Sequence, residues 1–383
     1  MSSVQAVCHY LKERRDEIIA TYHDLHALAE PSWQEEKTSR YLADRLRAAG
    51  LRVRTYPDHY GLTVDVAGRR ERVVALRADM DALVQEVDGI LRPNHSCGHD
   101  GHSTMVLYAA LALAACEVQP EYTLRFMFQP AEEKVGGALQ MMRDGSLDGV
   151  DLLFGVHLRP VMELPNGTAA PAILHGASAS IHGDIFGLQA HASRPERGKN
   201  VIETAAVLVH SLTAIRLEAG CPFSVKMTQL AAGGETSNVI PDRASFKLDL
   251  RAQTNAGMDE LQEKTRIVLE RVAALTGTPI EWKLAGSVPA ATAHDRAIRL
   301  MRQAIAAVLG ADNVAPPCVT PGGEDFHFYS YHNPQLAATM LGLGCDLQPG
   351  LHHPQMRFDT GALVNGAQIL AVALLSAAFG KDV

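Results

Sequence analysis

The chain has 383 residues, is 47% hydrophobic and carries a formal net charge of −8. That length favours two or three domains, and the apolar content supplies ordinary cores and speaks against disorder. The acidic balance, without a long basic run, argues against nucleic acid as the main partner. The longest apolar stretches, Met105 to Cys116 and Ile369 to Phe379, are too short to span a bilayer. The N-terminal MSSVQAVCHYLKERRDEI has no apolar signal core before its charges, so the expected location is the cytoplasm. Six cysteines are scattered without a CxxC pair, which predicts reduced thiols. Five of them read as small buried hydrophobes, and Cys97 stands apart.

In chain order, residues 3 to 49 read as helix in two pieces broken at Pro31, with Gly50 as the stop. RVVALRADMDA is an apolar strand followed by acids, and TMVLYAALALAAC a buried helix. YTLRFMFQPAEE is a strand followed by acids, VGGALQMMRDG a short helix, and DLLFGVHL a strand ending at a histidine. Strand and helix alternating in this way predict a mixed, mostly parallel sheet with helices on both faces. Residues 175 to 285 read differently, as β-α-β-β-α-β, the order of a ferredoxin-like split motif. Its second helix, MDELQEKTRIVLERVAALTG, is capped by Thr254 or Asn255. The expectation is therefore an α/β domain made of residues 1–174 and 286–383, with a small α+β domain, 175–285, inserted in it. RAIRLMRQAIAAVLG, ATMLGLGC and GALVNGAQILAVALLSAAF complete the larger domain as helix, strand and helix.

In open parallel sheets ligands bind beyond the carboxyl ends of the strands. Asp79 and Asp81, Glu132 and Glu133, His157, and His352 with His353 all fall at such ends, and Cys97 and His99 precede the buried helix. Each alone reads as an ordinary loop residue. Five segments bringing the same donor types to one sheet edge point instead to a metal, because thiolate, imidazole and carboxylate together suit zinc or a similar ion. Zinc, manganese, cobalt and nickel all fit this set, as one ion or two. Adjacent side chains diverge, so one member of the Glu132–Glu133 pair can ligate while the other serves as general base towards a water acidified by the metal. Asp81 suits a residue that orients a histidine ligand, and Asp100 a helix cap. In the small domain His191, Asn238 and Arg251 sit in loops or at a strand end, and a guanidinium there can hold a carboxylate.

RADMDAL, CGHDGH, FQPAEE, GVHL, AHASRP, NVIPD, GGEDF and LHHP follow one another over almost the whole chain. In that order they resemble the metal-dependent aminoacylase and N-acyl-amino-acid amidohydrolase family, which includes hippurate and auxin-amino-acid hydrolases. Zinc carboxypeptidases and desuccinylases are more distant kin. The resemblance implies a zinc-exopeptidase-like catalytic domain and a lid or dimerisation domain. It implies Cys97, His99, Glu133, His157 and His352 as metal ligands, with Glu132 as general base and Asp81 in support. It implies that His191 stabilises an oxyanion, often from the small domain of a second copy, which predicts a homodimer. Asn238 and Arg251 would hold the substrate carboxylate, and Gly322 and Gly323 would line the pocket.

The chain departs from the family pattern at His353, where serine or asparagine is usual; register selects His352 as the ligand. It departs also in the basic PERGKN loop and at Thr360. His95 and His102 are expected to be supporting or structural. The activity so implied is hydrolysis of a small N-acyl amino acid. A dipeptidase or carboxypeptidase with the same machinery, and a metal-binding sensor without turnover, are the alternatives. A spare base and more than four donors speak against the sensor.

Overall fold

The computed structural model describes residues 2–218 and 220–379. The chain forms two compact units, one of Met1–Leu174, Thr292–Cys318 and Asp325–Val383, the other of His175–Ala291 and Val319–Glu324.

The larger unit is built on a seven-stranded sheet. Its order is Val53–Thr55, Leu62–Val66, Tyr122–Gln129, Arg70–Asp79, Val150–Pro160, Ala337–Leu347 and Ala169–Ala170. The four strands from Tyr122–Gln129 to Ala337–Leu347 are parallel, and the outer ones pair antiparallel. Alternate side chains of the parallel strands enter two separate cores, as the two-residue pleat requires. Val74, Leu76, Phe126, Phe128, Phe154, Val156 and Leu341 join one core with the helices His99–Ala115, Asp295–Leu309 and Ala362–Ala378. Ala75, Met127, Leu153 and Met340 join the other with Met141, Phe326 and Tyr329. His99–Ala115 is buried over nearly its whole length, as a helix apolar all round must be.

Two local expectations are corrected. The N-terminal segment makes three helices, Ser3–Glu13, Arg15–Leu28 and Glu36–Ala48. Its first break is at Arg14, whose N–H turns back to Leu11 and Lys12 carbonyls. The Val150 strand does not end at His157 but continues to Pro160, because Ala337–Leu347 pairs with it along that length.

The smaller unit has the order strand Ala177–Phe186, helix Val201–Leu212, strands Phe223–Ala232 and Arg243–Ala252, helix Asn255–Thr276 and strand Ile280–Val288. The sheet is antiparallel, with Arg243–Ala252 and Ala177–Phe186 central and the other two at its edges. This is the ferredoxin-like arrangement. Thr254 caps the long helix by accepting from the Gly257 N–H. The last strand runs past residue 285, and the unit extends to Ala291.

Candidate metal centre

Towards the carboxyl ends of the parallel strands, five side chains of the larger unit meet, His157 from within its strand and the other four from loops or the start of a helix. Cys97 Sγ lies 3.5 Å from His157 Nε2 and 3.3 Å from His352 Nε2. Glu133 Oε1 lies 3.6 Å from His352 Nε2 and 3.9 Å from His99 Nε2. Gly98 makes the approach possible. Its φ of 87° turns the chain into the helix that begins at His99, a conformation that suits glycine. A Cβ there would meet Leu158 Cδ1 at 2.9 Å.

The two glutamates leave a tight loop. Ala131 and Val135 have φ values of 52° and 55°, and a Cβ on Gly137 would lie 1.6 Å from the Pro130 carbonyl oxygen. Asp81 holds that loop by its backbone. Its Oδ1 accepts the Glu132 N–H and its Oδ2 the Glu133 N–H, each at 3.1 Å. Glu133 then reaches the cluster. Glu132 stands at its rim, with Oε2 3.9 Å from His99 Nε2 and Oε1 accepting the Asp325 N–H at 3.3 Å.

Hydrogen bonds sort the histidines. His99 Nδ1 meets the Asp81 carbonyl oxygen at 2.9 Å and Asp81 Oδ1 at 3.2 Å. These acceptors put the proton on Nδ1 and turn the Nε2 lone pair towards the cluster. His157 Nδ1 likewise meets the Leu158 carbonyl oxygen at 2.7 Å. His102 is occupied at both nitrogens, by Asp79 Oδ1 at 2.7 Å and by the Leu158 N–H at 2.9 Å. His353 Nδ1 accepts from the Gln355 N–H. His95 is buried with neither ring nitrogen hydrogen-bonded among the described residues. Asp100 is not the N-cap, which is Gly98, but lies in the first turn, where its Oδ1 accepts the Gly101 N–H at 2.8 Å and its Oδ2 meets His26 Nδ1 at 2.6 Å.

These residues fit a divalent ion. His99 Nε2 and Glu133 Oε1 are buried without a hydrogen-bond partner among the described residues, a costly state unless something else takes their lone pairs. Burial pushes the Glu133 carboxyl up to about 7 and raises the Cys97 thiol well above its usual range. Burial disfavours the charged form of each, and a cation beside them would offset that cost. The donor types, one thiol, three imidazoles and a carboxylate, suit zinc and its neighbours.

Beneath the cluster lies a network in which Asp79, already noted at its strand end, is joined by two residues that the sequence reading did not single out, Arg77 and Asp325. Arg77 is 0% exposed. It donates to Asp79 Oδ2 at 2.6 Å, Asp325 Oδ1 at 2.8 Å and Gln129 Oε1 at 2.9 Å. Asp325 also accepts from Gln129 Nε2 and from the Ala138 N–H. The available signals were an arginine inside the apolar run VVALRAD and the acid of GGEDF.

The candidates of the smaller unit are arranged otherwise. His191 and Asn238 come together at a short ribbon, where Ala190–His191 pairs with Val239–Ile240 and the Ala192 N–H donates to the Asn238 carbonyl. Both are exposed. Arg251 is ion-paired with Asp249, Nε to Oδ2 at 3.0 Å. The Gly322 N–H donates to Thr320 Oγ1, and a Cβ on Gly323 would meet Ser178 Oγ at 3.1 Å. No described helix is long and apolar enough to cross a membrane.

An N-acetyldiaminopimelate deacetylase from Leuconostoc mesenteroides is 31% identical over 382 residues, 93% of this chain and 96% of its own. A Rhodococcus jostii protein named as a glutamate–cysteine ligase is 30% identical over 91% of this chain, which spans only 45% of that longer protein. The structure of a dinuclear metal-binding peptidase of the M20 family from Bacillus subtilis superposes with a TM-score of 0.82 at 27% identity. That match covers 96% of this chain and 99% of the other. Residues 75–376 match Peptidase family M20/M25/M40, and the chain is a hydrolase belonging to that family.

Proposed function

We propose that the protein hydrolyses the amide of small N-acyl amino acids, releasing a carboxylic acid and a free amino acid. The observation that carries this reading is a carboxylate left over beside a five-donor cluster: Glu132 and Glu133 both come within 3.9 Å of His99 Nε2 from a loop whose amides are both held by Asp81. Cys97, His99, Glu133, His157 and His352 would hold the divalent metal. When bound, that ion supplies positive charge that acidifies water and polarises a carbonyl. Glu132 accepts a proton from the attacking water and returns it to the departing nitrogen, so each turnover leaves the residue unchanged. Asp81 keeps His99 in the tautomer that presents Nε2.

His191 suits the oxyanion role. The Ser193 N–H donates to its Nδ1 at 3.1 Å, so neutral His191 carries its proton on Nε2 and can donate it. In this reading it acts from the smaller unit of a second copy, and Asn238 and Arg251 receive the substrate carboxylate, Arg251 by exchanging Asp249 for it. The deacetylase name of the Leuconostoc relative supports a blocked substrate.

The test is amino-acid release by metal-reconstituted protein from a panel of N-acyl amino acids and matching dipeptides, with Glu132→Ala as control. Release from the blocked substrates alone is expected. Release from dipeptides alone would make the protein a peptidase, and release from neither would overturn the reading.

A further inference from the structure

Glu35 is a buried acid with no part in the steps above. It lies between the helices Arg15–Leu28 and Glu36–Ala48 and is 0% exposed. Its Oε1 accepts two backbone N–H groups, from Trp33 at 2.9 Å and from Ala131 at 2.8 Å. Its Oε2 is buried without a hydrogen-bond partner among the described residues. Burial pushes the carboxyl up to about 7. A fold that only needed to fill this space would do better with an apolar side chain.

The Ala131 bond joins segments 96 residues apart, and both ends are unusual backbone. Trp33 and Ala131 have φ values of 69° and 52°, and such strain in non-glycine residues gathers at functional sites. The next two amides, of Glu132 and Glu133, end on Asp81. Three successive N–H groups are thus taken by two buried carboxylates. Ser32 Oγ donates to Asp81 Oδ2 at 2.7 Å, so the loop that carries Glu35 also steadies the second carboxylate.

We propose that Glu35 is a positioning residue: by fixing the Ala131 amide it sets the directions in which the Glu132 and Glu133 side chains leave the backbone. The inference rests on the roles given to those two residues under the proposed function.

The test compares Glu35→Ala, Glu35→Asp and Glu35→Gln in the full chain. The readouts are zinc affinity by chelator competition, hydrogen exchange of the metal-free protein across Ala131 to Glu133, and kcat and KM. Alanine removes the acceptor, and aspartate keeps the charge but falls a methylene short of Ala131. Both should weaken zinc binding by about 10- to 100-fold, speed exchange in that segment and lower kcat with KM little changed. Glutamine keeps an oxygen at Oε1 and resembles the neutral acid, so it should restore the parent behaviour. Zinc affinity and exchange in Glu35→Asp equal to the parent would overturn the proposal, as would Glu35→Gln being as damaging as Glu35→Asp. If Glu35→Ala does not fold, the aspartate and glutamine variants decide. If the parent shows no amide hydrolysis, zinc affinity and exchange still judge the positioning, and only the reading of activity falls.

Discussion

The candidate metal centre of the larger unit and the candidate residues of the smaller unit differ in how fully their own unit surrounds them. His99, Asp81, Cys97 and Glu132 are 0%, 1%, 7% and 8% exposed, and His352, with its side chain 54% exposed, is the one exposed donor of the five; hydrogen bonds with backbone or carboxylates fix the orientations of His99 and Glu132. His191 and Asn238 are exposed, and the Arg251 side chain is 39% exposed. A buried group has its direction set by packing before any ligand arrives. An exposed group keeps rotamer freedom, and its precision must come from what it meets. The first region is held together mostly by its own unit; under the proposed function the second would act on a surface supplied by a second copy.

That contrast can be broken most forcefully at Glu132. Glu132→Gln should lower kcat by about 10⁴-fold while elemental analysis finds the parent's metal content. A variant that loses metal and activity together would mean that Glu132 is a ligand and not a base.

Next is the support beneath. Arg77→Met removes the buried guanidinium from Asp325 and Asp79, leaving Asp79 to His102 and Asp325 to Gln129 and the Ala138 N–H, and should cost about 3–5 kcal/mol of stability, read from urea unfolding. An unchanged midpoint would show that the buried network is dispensable.

The smaller unit should respond in the opposite sense. His191→Ala should lower kcat about a hundredfold and leave the melting temperature and metal content unchanged. Sedimentation should find the parent active as a dimer. Full activity in a monomer would remove the role of a second copy.

The smallest effect concerns pH. Burial, and then the charge of Arg77, hold His327 neutral down to about 3, whereas the unfolded chain protonates this residue near pH 6.5. A depressed pKa gives stability that is full above about 6.5 and is lost as pH falls towards 3, by about 1.4 kcal/mol per pH unit. His327→Gln should flatten that acid limb when urea midpoints are measured from pH 7 to 5, and an unchanged slope would place the titration elsewhere.

Much of this arrangement was legible in the sequence, for physical reasons. Apolar runs that reach Asp79, Gln129 and Leu158 announce strands of a covered parallel sheet, and donors in or just after their last residues fall towards one edge by topology alone. The β-α-β-β-α-β order was equally plain, because each element is long and periodic. What escaped notice depends on contacts between distant residues. Arg77 reads as an intrusion in a strand until Asp325, 248 residues away, is seen to accept from it. Glu35 reads as one charge among several in PSWQEEK until the Ala131 amide is found on it. Asp100 reads as a cap because it opens a helix, and only His26 from another helix shows its other use. Periodicity reports burial of apolar faces and carries no information on which buried acid meets which amide.

The span of the donor set has a consequence in time. Cys97 and His352, 3.3 Å apart, are separated by 255 residues of chain. At about 5–20 residues per second, roughly ten to fifty seconds of synthesis lie between them. The strand that leads to His352, Ala337–Leu347, finds its parallel partner Val150–Pro160 already made. Through that interval a growing chain carries Cys97, His99 and His157 without their last companion. Under the proposed ligand set, a chain that has not yet reached His352 is one donor short, whatever its other four residues have done.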